Sequence, residues 1–94
     1  MGLEIVVRPP RPLAQAMGKL AEAGFLIAMV DGQLVMPTAP LPGSWTEVRL
    51  RTAAGMLTVK RRGPDEVAVI VFGNASPELV AFQQRLVAVL EQVE

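Results

Sequence analysis

The chain has 94 residues, 51% of them hydrophobic, with nine basic and nine acidic side chains and no net charge. That length holds one domain, residues 1–94, and the charge balance excludes a global field that would draw nucleic acid or an anionic membrane. Cys and His are both absent, which excludes disulfides, thiolate chemistry, and the commonest general base and metal ligand.

Tyr is absent as well, so acid–base chemistry would rest on carboxylates or lysine alone. Most of the carboxylates fall in turns or on exposed helix faces, and no two of them share a cleft with a nucleophile. No catalytic residues, metal site or cofactor are therefore expected, and the chain does not read as an enzyme. The longest apolar runs, Phe25 to Val30 and Val67 to Phe72, fall far short of a membrane span. The first ten residues lack a signal-peptide pattern, so the expected location is the cytoplasm. Scarce Asn and Ser beside eight prolines fit a thermophilic bacterium as the source.

In chain order, Leu3 to Val7 reads as a strand with Leu3, Ile5 and Val7 on one face. Arg8-Pro9-Pro10-Arg11-Pro12 ends it and serves as a rigid connection rather than a polyproline ligand. A helix is predicted over Pro12 to Ala23, with Pro12 at its first position, a buried stripe of Leu13, Ala16, Met17 and Leu20, and Gly24 as its left-handed stop. Phe25 to Val30 is a strand that is apolar on both faces. Asp31-Gly32 turns it tightly into a return strand, Gln33 to Met36.

Pro37 to Ser44 is a proline-stiffened loop; its Pro37-Thr38-Ala39-Pro40 tetrapeptide is short enough to occur by chance. Trp45 to Thr52 alternates as a strand, with Val48 and Leu50 on one side and Trp45, Glu47, Arg49 and Arg51 on the other. Thr52-Ala53-Ala54-Gly55 and Gly63-Pro64-Asp65-Glu66 turn the chain into further strands, Met56 to Arg62 and Val67 to Phe72. Ser76-Pro77-Glu78 opens a final helix with a capping hydroxyl, an N1 proline and an early acid. Its expected buried stripe is Leu79, Phe82, Leu86, Leu90 and Val93.

These elements predict an α+β fold in the order β-α-β-β-β-β-β-α. The sheet is mainly antiparallel with five or six strands, and both helices pack on one face. It becomes mixed if the first strand pairs in parallel with the one after the first helix.

Aligning both turns with even loops places Val48, Leu50, Leu57 and Val59 beside Ala68, Ile70 and Phe72 on a core face. Arg61 joins that face at its rim, within reach of Glu66. Arg49, Arg51, Lys60 and Arg62 then share the outer face with Trp45, and Val67, Val69 and Val71 form an apolar strip beside them.

Two functional expectations follow. The first is a non-catalytic, self-associating interaction or regulatory module, a homo-oligomer with a dimer favoured, whose contact is the open face at Val67, Val69 and Val71. The second is a nucleic-acid-binding module using Arg49, Arg51, Lys60, Arg62 and Trp45, since a stacking ring in a basic sheet suits single strands. A weaker expectation is an anion held at the start of the last helix by Gly73, Asn74 and Ser76. No membrane partner is expected.

Overall fold

The computed structural model describes residues 3–36, 41–72 and 76–92. The expected elements appear in the expected order: β1 (Leu3–Val7), α1 (Leu13–Glu22), β2 (Leu26–Val30), β3 (Gln33–Leu34), β4 (Glu47–Thr52), β5 (Gly55–Gly63), β6 (Glu66–Val71) and α2 (Pro77–Leu90). The six strands form one sheet in the order β1-β6-β5-β4-β2-β3. Every pairing is antiparallel. The alternative of a mixed sheet is corrected: β1 adds to β6, leaving β2 on the far side of β4.

Local chemistry explains the boundaries. Pro12 stands at the N-cap of α1 with ψ 144, one residue before the first helical position expected for it. Its carbonyl accepts from the Gln15 and Ala16 amides. At the other end the Gly24 amide donates to Ala21 and the Phe25 amide to Leu20. This 6→1 closure needs a left-handed residue, which Gly24 supplies at φ +92. Asp31 and Gly32 both have positive φ, 50 and 81, the conformation whose twist suits a two-residue hairpin. Ser76 caps α2 by accepting from the Leu79 amide at 3.1 Å, with Pro77 directly behind it.

Both helices cover one face of the sheet. Leu13, Ala16, Met17 and Leu20 of α1 join Leu79, Leu86 and Leu90 of α2 in a single core with Val48, Leu50, Leu57 and Val59. Val93 lies outside the described residues.

One expectation about the sheet fails. Val67, Val69 and Val71 are fully buried in this core, opposite Arg61, Val59 and the β1 residues Val7, Ile5 and Leu3. Ala68 and Ile70 take the outer face, and Phe72, expected inside, is 61% exposed. The cause is a bulge. Gly63 pairs with Glu66 across the tight turn, but the next pair is Arg61 with Val67, so β5 carries one residue more than β6. One extra residue exchanges the faces of everything beyond it.

Gln83 is the polar side chain that the helical stripe did not anticipate. It is 1% exposed, and its Nε2 donates to the Leu3 carbonyl at 3.2 Å and the Val69 carbonyl at 3.0 Å. The amide thus ties α2 to β1 and β6 and satisfies buried acceptors on the sheet. Gln83→Met should keep the volume, strand both carbonyls and cost about 1–3 kcal/mol. Urea unfolding monitored by circular dichroism measures this, and an unchanged midpoint would show that the two bonds contribute nothing.

Candidate functional site

The face of the sheet turned away from the helices carries the sequence's candidate cations. Glu47 opposes Lys60, Arg49 opposes Thr58 and Arg51 opposes Met56 across β4 and β5. Arg49, Arg51 and Lys60 are exposed. The Glu47 carboxylate lies 3.9 Å from Arg49, so it tempers the strip without neutralising it. Arg62, the residue at the bulge, reaches across β6 to Glu4 on β1 at 2.6 Å. Thr58 and Ala68 on this face are buried without a covering layer, which fits long charged side chains lying across small ones.

Trp45 is not on this face. It is 2% exposed and belongs to the core, where the Arg61 guanidinium stacks on its ring at 4.5 Å from the centroid. Asp31 explains the reversal. Its Oδ1 accepts from the Thr46 amide at 2.9 Å, the Thr46 hydroxyl at 2.6 Å and the Glu47 amide at 2.9 Å. In turn the Asp31 amide donates to the Glu47 carbonyl. Thr46 keeps one backbone bond to β5, its carbonyl accepting from the Arg61 amide at 2.8 Å, but β4 begins at Glu47 and the alternation that would have put Trp45 outward stops there.

The pairing foreseen for Arg61 also changes. Glu66 binds Arg8 at 3.3 Å instead, and the Arg61 Nε is buried with no acceptor. Arg61 therefore has an aromatic partner and no carboxylate within ion-pair distance among the described residues.

The apolar part of the open face is not the valine strip. Its most exposed members, Leu34 at 81% and Met36 at 71%, lie with Leu26 along the β2–β3 margin, while Val6 and Phe72 lie at the opposite margin and Met56 on β5. Leu34 opposes Met29, and Leu26 opposes Arg51, so this margin borders the basic strip. No sequence signal picks it out, because β2 is apolar on both faces and its parity depends on a register shift between Ile27 and Met29.

For the expected anion site, Gly73 and Asn74 lie outside the described residues, and the Ser76 hydroxyl is engaged as the α2 cap. Among the described residues no group of acidic side chains could hold a metal ion, and no helix is long and apolar enough to cross a membrane. Comparison with protein-family models, curated proteins and solved structures finds no match. The chain's own surface is therefore the basis for assigning a role.

The hydrogen bonds from Thr46, first through its hydroxyl and then through its amide, hold the Asp31 carboxyl below its ordinary value, with the Glu47 amide adding to the effect. A lowered folded-state pKa stabilises the fold above the unfolded carboxylate range and loses that effect as pH falls through the folded value. Asp31→Asn tolerates the same positive φ, so it tests the carboxylate itself. Its thermal midpoint should lie below that of the parent protein at neutral pH, and the gap should close on acidification below about pH 4. A gap independent of pH would show that the charge is irrelevant.

Proposed function

We propose that this protein is a non-catalytic interaction module that pairs with a second copy of itself through the β2–β3 margin of its open sheet face. The observation that carries the reading is the high exposure of the apolar side chains there. Leu34 and Met36 are the two most exposed large hydrophobic residues, and Leu26 lies on the neighbouring strand. Contiguous apolar surface of this kind is characteristic of contact sites.

Charge placement favours a contact centred on that margin over one centred on the face. A two-fold contact brings each patch against its own copy. Centred on β4 and β5, it would set Arg49, Arg51 and Lys60 against the same three cations. Centred on β2 and β3, it joins apolar margins and leaves the basic strips to either side. β3 is only two residues long, so the margin offers side chains more than a long edge for strand addition.

Sedimentation equilibrium across a concentration series should give a monomer–dimer equilibrium. Leu34→Glu, at an exposed position, should leave the unfolding midpoint unchanged at concentrations where the parent is monomeric and raise the dimer dissociation constant roughly tenfold or more, as loss of a buried leucine on each side implies. A strictly monomeric parent protein at millimolar concentration would end this reading.

The basic strip supports a second reading, contact with single-stranded nucleic acid. Arg49, Arg51 and Lys60 are exposed side by side on an uncovered sheet. With Trp45 in the core and Arg62 bonded to Glu4, the strip lacks a stacking tryptophan and one free cation of the expected set. Binding would therefore be electrostatic and sequence-tolerant. Anisotropy of labelled RNA and single-stranded DNA should show affinity falling with salt. Arg51→Gln should flatten the log–log slope by about 0.7 per lost phosphate contact. No binding at low salt removes this reading.

A further inference from the structure

The cleft between α1 and the start of β2 opens on the helix side of the sheet and shares only Leu26 with the margin proposed for self-association. It is an open space of about 790 Å³, within the range of roughly 300–1,000 Å³ typical of small-ligand sites. Leu13 and Met17 line it from α1, Phe25 and Ile27 from the adjoining strand, and Leu41 and Trp45 from the segment that enters β4. Among the described lining residues Arg61 is the only charged one.

Arg61 is unusually placed for an arginine. Its stem leaves the core face of β5, its guanidinium is stacked on Trp45, and its Nε is shut away from water with no acceptor. Neither neighbouring acid bonds to it: Glu66 pairs with Arg8, and Asp31, though it feels the Arg61 charge, spends its hydrogen bonds on the Thr46 and Glu47 donors. The guanidinium thus carries its charge with no carboxylate bonded to it among the described residues, and a ligand carboxylate can pair with the donors that are not shut away. The rest of the wall is hydrocarbon, with Gly18 contributing no side chain. A neutral hydrocarbon would leave the Arg61 charge unpaired. A phosphate would bring up to two negative charges to a single cation.

We propose that this cleft binds a small organic monoanion with an apolar tail, its carboxylate bonded to Arg61 and its tail lying between α1 and β2. The stacked indole holds the guanidinium plane in place, so the donor is preorganised before the ligand arrives.

The test uses Trp45 as its reporter. The chain has one Trp and no Tyr, so its intrinsic ultraviolet fluorescence at the tryptophan band comes from the wall of the cleft. Decanoate titrated into the protein should change Trp45 emission saturably and bind about tenfold or more tightly than decanol, the uncharged chain of equal length. Arg61→Gln should bring decanoate down to the affinity of decanol.

A second variant keeps the question open to refutation if loss of the arginine disturbs folding. Gly18 lines the rim of the cleft and a side chain there meets nothing within 4 Å, so Gly18→Leu should be tolerated, improve helix propensity and, by narrowing the entrance, weaken both ligands. Equal affinity for decanoate and decanol would overturn the proposal, as would the absence of a saturable response in folded protein. So would decanoate binding that survives Gly18→Leu and is lost in an Arg49→Gln/Arg51→Gln double variant, since the ligand would then lie on the open face. Leu34→Glu should leave decanoate binding unchanged, which separates this site from the dimer contact.

Discussion

The extra residue that β5 accommodates between Arg61 and Gly63 decides which side of the last strand meets the helices. Without it, the tight turn at Pro64-Asp65 would send Ala68, Ile70 and Phe72 inward. With it, Val67, Val69 and Val71 fill the core and line up with Ile5 and Val7 of β1. The bulge therefore also matches the register of β1, so both strands at that side of the sheet depend on one local irregularity. A bulge suits this place because it sits next to a turn, where only the short Gly63–Glu66 pair must be closed beyond it.

A second constraint acts at the same end of the sheet, on β4, where Glu47 pairs with Lys60 and the Thr46 carbonyl accepts from the Arg61 amide. Asp31, held at positive φ by its hairpin, uses one carboxylate oxygen to gather three donors from Thr46 and Glu47. This shortens β4 and turns Trp45 to the helix side, where Arg61 meets it. The two constraints together divide the charges of the sheet. Arg61 is drawn into apolar surroundings beside an indole, while Arg49, Arg51 and Lys60 remain in water on the other face. Each face then offers a different chemistry: a single sheltered cation above an apolar cleft, and an open basic strip bordered by an oily margin.

The chain's high apolar content is largely absorbed by this arrangement. The accessible surface, 5661 Å², is close to the roughly 5,300 Å² that area scaling gives for a folded monomer of this mass. The two apolar runs that looked excessive become β2 and β6. β6 is buried on both faces, under α2 on one and beneath neighbouring side chains on the other. What stays outside lies at the two margins of the sheet, with the most exposed side chains, Leu34 and Met36, on β3 and just after it. The position of the exposed apolar area, rather than its total, is the feature that points to a partner.

Much of the architecture was legible from residues alone. Strand and helix order, the Asp31-Gly32 hairpin, the Gly24 stop, the Ser76-Pro77 start and the α1 stripe all rest on interactions within a few positions of each other. Such interactions are written in the local sequence. The pairing of β4 with β5 was legible too, because Val48, Leu50, Leu57 and Val59 alternate clearly with polar neighbours. β6 was not, since Glu66–Val71 is apolar on both faces and either parity satisfies a hydrophobic pattern. The position of Trp45 depends on a carboxylate 15 residues before its neighbour Thr46, and that of Gln83 on carbonyls up to 80 residues away. The chain's own pattern thus determined which segments are helix or strand and where they turn. Only tertiary structure decided which faces those segments show, because that choice is made by partners too distant in sequence to leave a periodic trace.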